Sequence, residues 1–435
     1  MYQPVHFKTG ALRRMQVYKF GGASIATPER MQAIIPIIQD AAHPIVVVVS
    51  AMGKTTNALE VITEAACKGS KEEAHAMVEA LEAQHISYMR EILKPEVFAI
   101  AQEELNVFFT ELQWAVDDAT AAKYDYSYDQ IVCMGELLST RIFAFYLQQE
   151  GLKNEWIDVR DVIRTDDTYR DARVDWDISS RQATQIMRPV LERGISVVTQ
   201  GFIGTTADNA SVTLGREGSD YSAALLAAWL GAESVTIWKD VIGLLNADPR
   251  LFPNTVRIEA ITYHEVIEMS YYGAQVIHPK TIKPLQNAGI PLYVKCFLDK
   301  SQKGTVITEH VNSIFYPPLI VLKEKQILLQ VTTKDFSFIS EDNLRNLYGI
   351  FHELKIKVNL IQNAAISFVA CIDHKEEQVQ ALIAALEQNY QVLRNEGVTL
   401  LTVRHYTPEI LFDLTKGRYS LLEQKTRHTV QVVMK

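Results

Sequence analysis

The hydrophobic pattern takes three forms in turn within the first fifty residues. Gln16 to Phe20 alternates and is rich in β-formers, and it ends on the pair Gly21-Gly22. Apolar residues then recur at helical spacing at Met31, Ile34, Ile35 and Ile38, which predicts a helix over 28–38. Thr27 fits the N-cap and Pro28 the first turn, while Pro36 should bend or end the helix. Next comes Pro44-Ile-Val-Val-Val-Val-Ser50, a continuous apolar run that reads as a strand buried on both faces. Strand, glycine turn, helix and buried strand make a βαβ unit, which implies a parallel sheet covered by helices.

The same logic extends along the chain. Residues 57–150 are mostly helical in pattern. Helix–strand pairs follow at 137–150 with 154–159, 181–193 with 195–200, and 222–230 with 234–239. The alternation runs to about 291–297, so residues 16–310 are expected to form one large three-layer α/β domain around a parallel-rich sheet. After Pro317-Pro318 the order becomes strand 327–331, helix 344–354, strands 358–361 and 367–372, helix 376–387 and strand 400–405. That β-α-β-β-α-β order is ferredoxin-like, and a short helical stretch and a last strand, 429–434, follow it. Residues 1–15 read as an extension, with Met15 as an alternative start.

Composition narrows the classes. At roughly 150 residues per domain, 435 residues suggest two or three domains. A content of 48% hydrophobic and 22% charged residues is that of a globular protein. The net charge of −9 gives no reason to gather nucleic acid or anionic membrane, so anionic ligands must be met by local cations and backbone N–H groups. No uninterrupted apolar run approaches a membrane span, and no apolar segment follows the basic leader as a secretory signal needs. The four cysteines (Cys67, Cys133, Cys296, Cys371) show neither CxxC nor metal spacing. They read as reduced thiols of a cytoplasmic protein, with no resident metal site.

The candidate chemistry sits at strand ends, where open α/β sheets bind ligands. Lys19-Phe20-Gly21-Gly22-Ala23-Ser24 offers close-approaching backbone N–H groups and one ammonium, which suits a phosphate. It is neither GxxxxGK[ST] nor GxGxxG, and its plain alternative is a tight turn with a solvated lysine. Ser50 to Asn57, with Thr56, presents hydroxyls at the next strand end and fits an N-cap equally well. Glu136, in Met134-Gly-Glu136, suits the first turn of a helix whatever its function. In Gly215-Arg-Glu-Gly-Ser-Asp220, Arg216 can clamp a carboxylate or phosphate, while Ser219 and Asp220 could simply be caps. Trp238-Lys239-Asp240 leads to Asp248-Pro249-Arg250, a turn that could meet a nucleotide. His278, before a proline, reads as structural. The signals gain force together, because the chain has no dinucleotide fingerprint, GxSxG or HExxH.

In order, KFGGAS, VSAMGKTTN, MGE, TQGFIG, TLGREGSDYSAALLA, WKDVIGLLNADPR and YGAQVIHPKTI resemble the aspartokinases of the amino acid kinase superfamily. The resemblance runs from Lys19 to about Phe297 and includes VRDVIRTDD at 159–167; LIQNAA at 360–365 resembles the family's regulatory ACT region. It implies transfer of the γ-phosphoryl of MgATP to the β-carboxylate of L-aspartate, with no room in 435 residues for a fused homoserine dehydrogenase. The product would be 4-phospho-L-aspartate, the first step towards lysine, methionine and threonine.

The resemblance also implies roles. Lys19 would bridge phosphate oxygens, oriented by Asp220, with Phe20, Gly21 and Gly22 at the phosphates. Arg216 would hold the α-carboxylate, Glu136 the α-amine and Thr56 a further contact, with Ser50 close by. Lys239, Asp240, Leu245, Arg250 and Gln275 would lie on the nucleotide. Ala23, Lys239, Leu245 and Gln275 depart from the family's usual threonine, threonine, tyrosine and lysine. Lys239, Lys280 or Lys283 could replace the cation missing at Gln275. Residues 327–435 have room for one full ACT unit and a strand-bearing tail, or for a degenerate second unit. Asn359 stands where some lysine-inhibited members carry aspartate, and Asn363 would keep a contact for an amino-acid effector, lysine or threonine. Open sheet edges imply a homodimer through this region. Two other readings remain: a related carboxylate kinase, or a non-catalytic amino-acid sensor on a degenerate kinase fold.

Overall fold

Five branched residues in a row leave β2 (Ile45–Val49) no polar face, and the chain places it inside a sheet. The computed structural model describes residues 15–42, 44–274, 277–311, 316–335 and 337–435. Two compact units result. The first comprises the described residues of 1–244, 257–267 and 276–312, and the second those of 245–256, 268–275 and 313–435.

The first unit starts with β1 (Gln16–Phe20) and α1 (Pro28–Gln39). Pro36 neither ends α1 nor stops Ile34, Ile35, Ile37 and Ile38 from being buried; the helix runs three residues further. After β2 come five helices: α2 (Thr55–Cys67), α3 (Lys71–Ile92), α4 (Pro95–Asp118), α5 (Tyr124–Val132) and α6 (Met134–Gln149). By length and composition the stretch Ala121–Gln149 could cross a membrane, but 89% of its apolar window is buried inside the fold. It is a core helix. The rest of the unit adds β3 (Asn154–Trp156), α7 (Trp176–Glu192), β4 (Ser196–Gln200), the hairpin β5 (Ile203–Thr205) and β6 (Ser211–Thr213), α8 (Gly218–Leu230) and β7 (Ser234–Lys239). Then follow β8 (Ala260–Thr262), α9 (Tyr263–Tyr272), whose residues from Glu268 onward count with the second unit, α10 (Pro279–Ala288), β9 (Leu292–Cys296) and β10 (Thr305–Thr308).

The sheet order is β3-β4-β2-β1-β7-β9-β10-β8, parallel except where β10 runs against β9. Its registers place the site. Phe20 pairs with Val49 on one side and Trp238 on the other, and Val49 pairs with Gln200. The carboxyl ends of β4, β2, β1 and β7 therefore finish level, and the loops after them meet at one edge.

In the second unit, β11 (Leu319–Thr333) and β14 (Tyr390–Arg404) are long strands paired with each other along most of their length. A bulge between Lys323 and Gln326, with Lys325 at φ 53°, divides β11. Its later half, with β12 (Val358–Asn363), β13 (Ser367–Asp373) and the first half of β14, carries α11 (Glu341–Glu353) and α12 (Glu376–Leu386) over a core that includes Leu347, Phe351, Phe368 and Leu382. This is the expected ferredoxin-like arrangement. The other halves pair on towards β16 (Thr429–Met434) and β15 (Ser420–Lys425), with α13 (Pro408–Thr415) alongside. The tail thus extends the same six-stranded sheet, with its own cluster of Leu401, Val403, Val430 and Val432.

Candidate functional site

Strand alternation sends Phe20 and Trp238 to one face of the sheet, where their rings stack at 6.2 Å. Lys19 goes to the other face, where α8 begins. Its Nζ lies 2.6 Å from Asp220 Oδ1, and Lys239 Nζ approaches Asp220 Oδ2 to 3.8 Å. Burial would raise the Asp220 carboxyl, but Lys19 foremost and then Lys239 hold it below the ordinary carboxylate range. The helix starts at Gly218, so Ser219 and Asp220 sit in its first turn rather than capping it. The capping position falls to Glu217, in the left-handed region at φ 54°, whose Oε2 accepts the His278 N–H at 2.7 Å.

The glycine pair brings two loops together. A Cβ on Gly22 would collide with the Ala51 carbonyl oxygen, and Gly53 N–H donates to Gly22 O at 3.0 Å. Gly22→Ala is therefore expected to push these strand ends apart and to lower activity and melting temperature together, as turnover and thermal unfolding assays will show.

The second strand end meets α6. Ala51 N–H donates to Glu136 Oε1 at 3.2 Å, and Ser139 Oγ donates to Ser50 O at 2.9 Å. Ser50 Oγ donates to Ser219 Oγ at 3.0 Å, which ties this loop to α8. Glu136 is 3% exposed, and its Oε2 is buried with no hydrogen-bond partner among the described residues. Burial pushes its carboxyl up to about 8. One cleft of about 520 Å³ joins these groups: Lys19, Ser50, Thr56, Glu136, Arg216, Asp220 and Lys239 all line it. It presents cations at one part and a buried acceptor at another, which suits an anionic molecule that also carries an ammonium.

The amino acid kinase family model matches residues 14–296. Lysine-sensitive aspartokinase 3 of Escherichia coli is 31% identical over 397 residues, 89% of this chain and 86% of that protein. The chain belongs to the aspartokinase family. An aspartokinase of Chlamydia pneumoniae is 28% identical, over 89% of this chain and 84% of its own length. The crystal structure of E. coli aspartokinase III with lysine and aspartate superposes with a TM-score of 0.80 at 28% identity, covering 96% of this chain and 95% of that one. Its complex with aspartate and ADP gives 0.79 at 29%, covering 97% and 96%. The α/β kinase fold with an added antiparallel domain holds, and the chain is a kinase.

Sequence reasoning missed one wall of this aspartokinase's cleft. Glu60, Tyr128, Arg170, Phe202 and Thr213 line it as well. Tyr128 Oη donates to Glu60 Oε1 at 2.7 Å, and the Arg170 guanidinium lies 4.4 Å over the Tyr128 ring. Asp129, wholly buried, fixes this wall. It accepts from Thr213 Oγ1 at 2.7 Å, from Thr213 N–H at 3.0 Å and from Arg170 N–H at 2.9 Å. The last of these holds Arg170 at φ 69°. Burial raises the Asp129 carboxyl to about 6. The available signal was Asp129 seven residues before Glu136, two helical turns up the same helical stretch.

Other expected residues lie elsewhere. The Phe20 side chain is sealed in the core, so only its backbone can meet a ligand. Asp240 is exposed just beyond β7. Leu245 and Arg250 belong to the second unit, where Arg250 makes a bidentate pair with Asp248. Gln275 lies outside the described residues, as does the extension before Met15. Lys280 is paired with Asp171, and His278 caps α10, the structural role expected of it. In the second unit Asn359 is engaged within the fold: its Oδ1 accepts from Lys323 Nζ at 2.7 Å, and its Nδ2 donates to Gln326 and Asp373. Asn363 is exposed at the end of β12. Among the described residues no cluster of three His, Cys, Asp or Glu could hold a metal.

Proposed function

We propose that the enzyme transfers the γ-phosphoryl group of ATP to the β-carboxylate of L-aspartate. The observation that carries this is the pairing, in one cleft, of the Lys19–Asp220 ion pair with the unpartnered Glu136 Oε2. The first suits a phosphate and the second an α-ammonium. Arg216 on the same cleft gives the α-carboxylate a guanidinium, and Thr56 a hydroxyl. The E. coli relative holds aspartate with ADP in one crystal structure, which supports both ligands here.

The chemistry asks for alignment and charge balance rather than a base. A β-carboxylate oxygen attacks the γ-phosphorus, the bond from that phosphorus to the β,γ-bridging oxygen breaks, and ADP leaves with the electron pair. Aspartate is already ionised at neutral pH, so no proton has to be removed. Lys19 meets charge as it develops on the phosphoryl oxygens, and Asp220 fixes its position. Mg²⁺ would arrive with the nucleotide as part of the substrate, because Asp220 is already committed to two ammonium groups.

The test is hydroxamate formation from MgATP, hydroxylamine and a panel of L-aspartate, L-glutamate and N-acetylglutamate. Aspartate alone should give product. Product with another acid would assign a different carboxylate kinase, and ATP binding without any product would favour a sensor.

Residues 16–310 would be the catalytic domain and 327–435 an ACT regulatory region, in a cytoplasmic enzyme. The E. coli relative is lysine-sensitive and has been seen with lysine bound. Lysine or threonine is proposed as feedback inhibitor, with exposed Asn363 a better contact than Asn359, whose amide is already bonded. Titration with each amino acid, singly and together, should depress activity; flat curves would remove the proposal. Edge strand β15 and exposed Leu393, Phe412 and Tyr419 favour a homodimer through this region. Light scattering at micromolar concentration should give twice the chain mass, and a monodisperse monomer would refute it.

A further inference from the structure

One face of α5 grips an arginine. Asp125, Tyr128 and Asp129 stand at i, i+3 and i+4 on that helix, so their side chains share a face. Asp125 Oδ1 accepts from the Arg170 guanidinium at 3.3 Å, the Tyr128 ring centroid lies 4.4 Å from it, and Asp129 Oδ2 accepts the Arg170 backbone N–H at 2.9 Å. The grip holds Arg170 at φ 69°, where a side chain crowds its own backbone. A residue kept in such a conformation points to a use for its side chain, and this one lines the cleft. Glu60 accepts the Tyr128 hydroxyl at 2.7 Å, which pins the ring against the guanidinium. Asp125 is 62% exposed, and so open an ion pair competes weakly with a ligand carboxylate. The same buried Asp129 fastens a second loop. It takes both Thr213 Oγ1 and Thr213 N–H, and Ala172 N–H donates to Thr213 O at 3.0 Å. The Arg170 turn then packs on Gly215, where an added Cβ would lie 3.3 Å from the Arg170 carbonyl oxygen. Arg216 is the next residue. Two arginines therefore reach one cleft from loops that are fastened to each other.

We propose that Arg170 is a specificity-determining residue of the acceptor site, whose guanidinium joins Arg216 on the α-carboxylate of aspartate and makes that carboxylate a condition of tight binding. This rests on the kinase reading of the cleft, but on the acceptor half of it only. A guanidinium offers a carboxylate two parallel N–H bonds, and stacking on Tyr128 fixes the plane in which it offers them.

The experiment compares the full chain with Arg170→Gly, since glycine is at home at that φ; Arg170→Asn, which tolerates it too, is the second variant should the first not fold. Two ligands are titrated into each by calorimetry: L-aspartate, and β-alanine, which is aspartate without its α-carboxylate. Aspartate should bind the variant about ten- to a hundredfold more weakly, the loss of one charged hydrogen bond. β-Alanine should bind both proteins alike, and so should MgATP. The preference for aspartate over β-alanine therefore falls by the factor that aspartate loses. Unchanged aspartate affinity would overturn the proposal. So would an equal loss for both amino acids, because Arg170 would then only shape the wall. The KM for aspartate in hydroxamate formation should rise by the same factor as the dissociation constant. A wild type that forms aspartyl hydroxamate beside a variant of equal KM leaves the kinase reading standing and removes Arg170 from the site. A wild type that binds aspartate through Arg170 but forms no hydroxamate keeps the subsite and removes the phosphoryl transfer. A wild type that binds no aspartate removes both.

Discussion

Lys19→Ala is expected to lower aspartyl hydroxamate formation by about 10²–10³-fold, the usual effect of removing one group that meets transition-state charge. A rate within tenfold of the wild type would refute the role. The substitution also carries a structural cost that has to be separated from the catalytic one. Asp220 is buried, and without Lys19 its carboxylate keeps, among the described residues, Lys239 at 3.8 Å as its one cation. Breaking a buried ion pair from one side typically costs about 3–5 kcal/mol, because an uncompensated charge stays behind. Lys19→Ala should therefore melt at a lower temperature than the wild type. Adding Asp220→Asn removes the stranded charge, so the double variant should regain much of that stability without regaining activity. Thermal unfolding and hydroxamate rates on the same samples distinguish the outcomes. If activity recovers along with stability, Lys19 acts only as a structural partner of Asp220.

Much of the site was legible because it is local to strand ends. Gly21-Gly22 after a β-run, the hydroxyls from Ser50 and the Gly215–Asp220 turn each announce a ligand-facing loop in a few residues. The parallel register then brings them together without further instruction. The wall made by Asp129, Tyr128 and Arg170 was not legible in the same way. Arg170 reaches the cleft through a left-handed turn that a buried carboxylate stabilises from 41 residues away, and no local pattern encodes such a bond. Glu217 makes the same point: a non-glycine residue takes a positive φ, with its carboxylate accepting the distant His278 N–H. In the second unit the β-α-β-β-α-β order was readable from periodicity. The length of β11 and β14 was not, since the polar stretch Lys323-Glu-Lys-Gln326 looks like a strand end but is a bulge within one continuous strand. β15 escaped because an exposed edge strand with only Leu421 and Leu422 half-buried carries no alternating signal.

Aspartate binding should tighten as pH rises towards about 8 and should release a proton. In the free enzyme, burial holds the Glu136 carboxyl up at about 8, so at pH 7 it is mostly protonated. An α-ammonium placed at Oε2 favours the ionised form and pulls the value down. Glu136 then binds fewer protons in the complex than in the free enzyme over the window between the two values. By linkage, affinity rises with pH across that window, by up to about tenfold per unit, and levels off above about 8. Folding of the free enzyme runs the other way. Its folded value lies above the ordinary 4.5, so the folded chain binds more protons than the unfolded chain from 4.5 to about 8. Stability contributed by this group is complete below 4.5 and is lost as pH rises through about 8. Aspartate should therefore raise the melting temperature more at pH 8 than at pH 6. Glu136→Gln keeps the shape and the Ala51 N–H bond but cannot take a charge. It should weaken aspartate binding by about ten- to a hundredfold, the loss of one charged hydrogen bond, and abolish the pH dependence. Titration calorimetry at pH 7 in two buffers of different ionisation enthalpy reads the proton directly. The wild type should release up to one proton per aspartate and Glu136→Gln none. Equal proton release from both would place the α-amine somewhere other than Glu136.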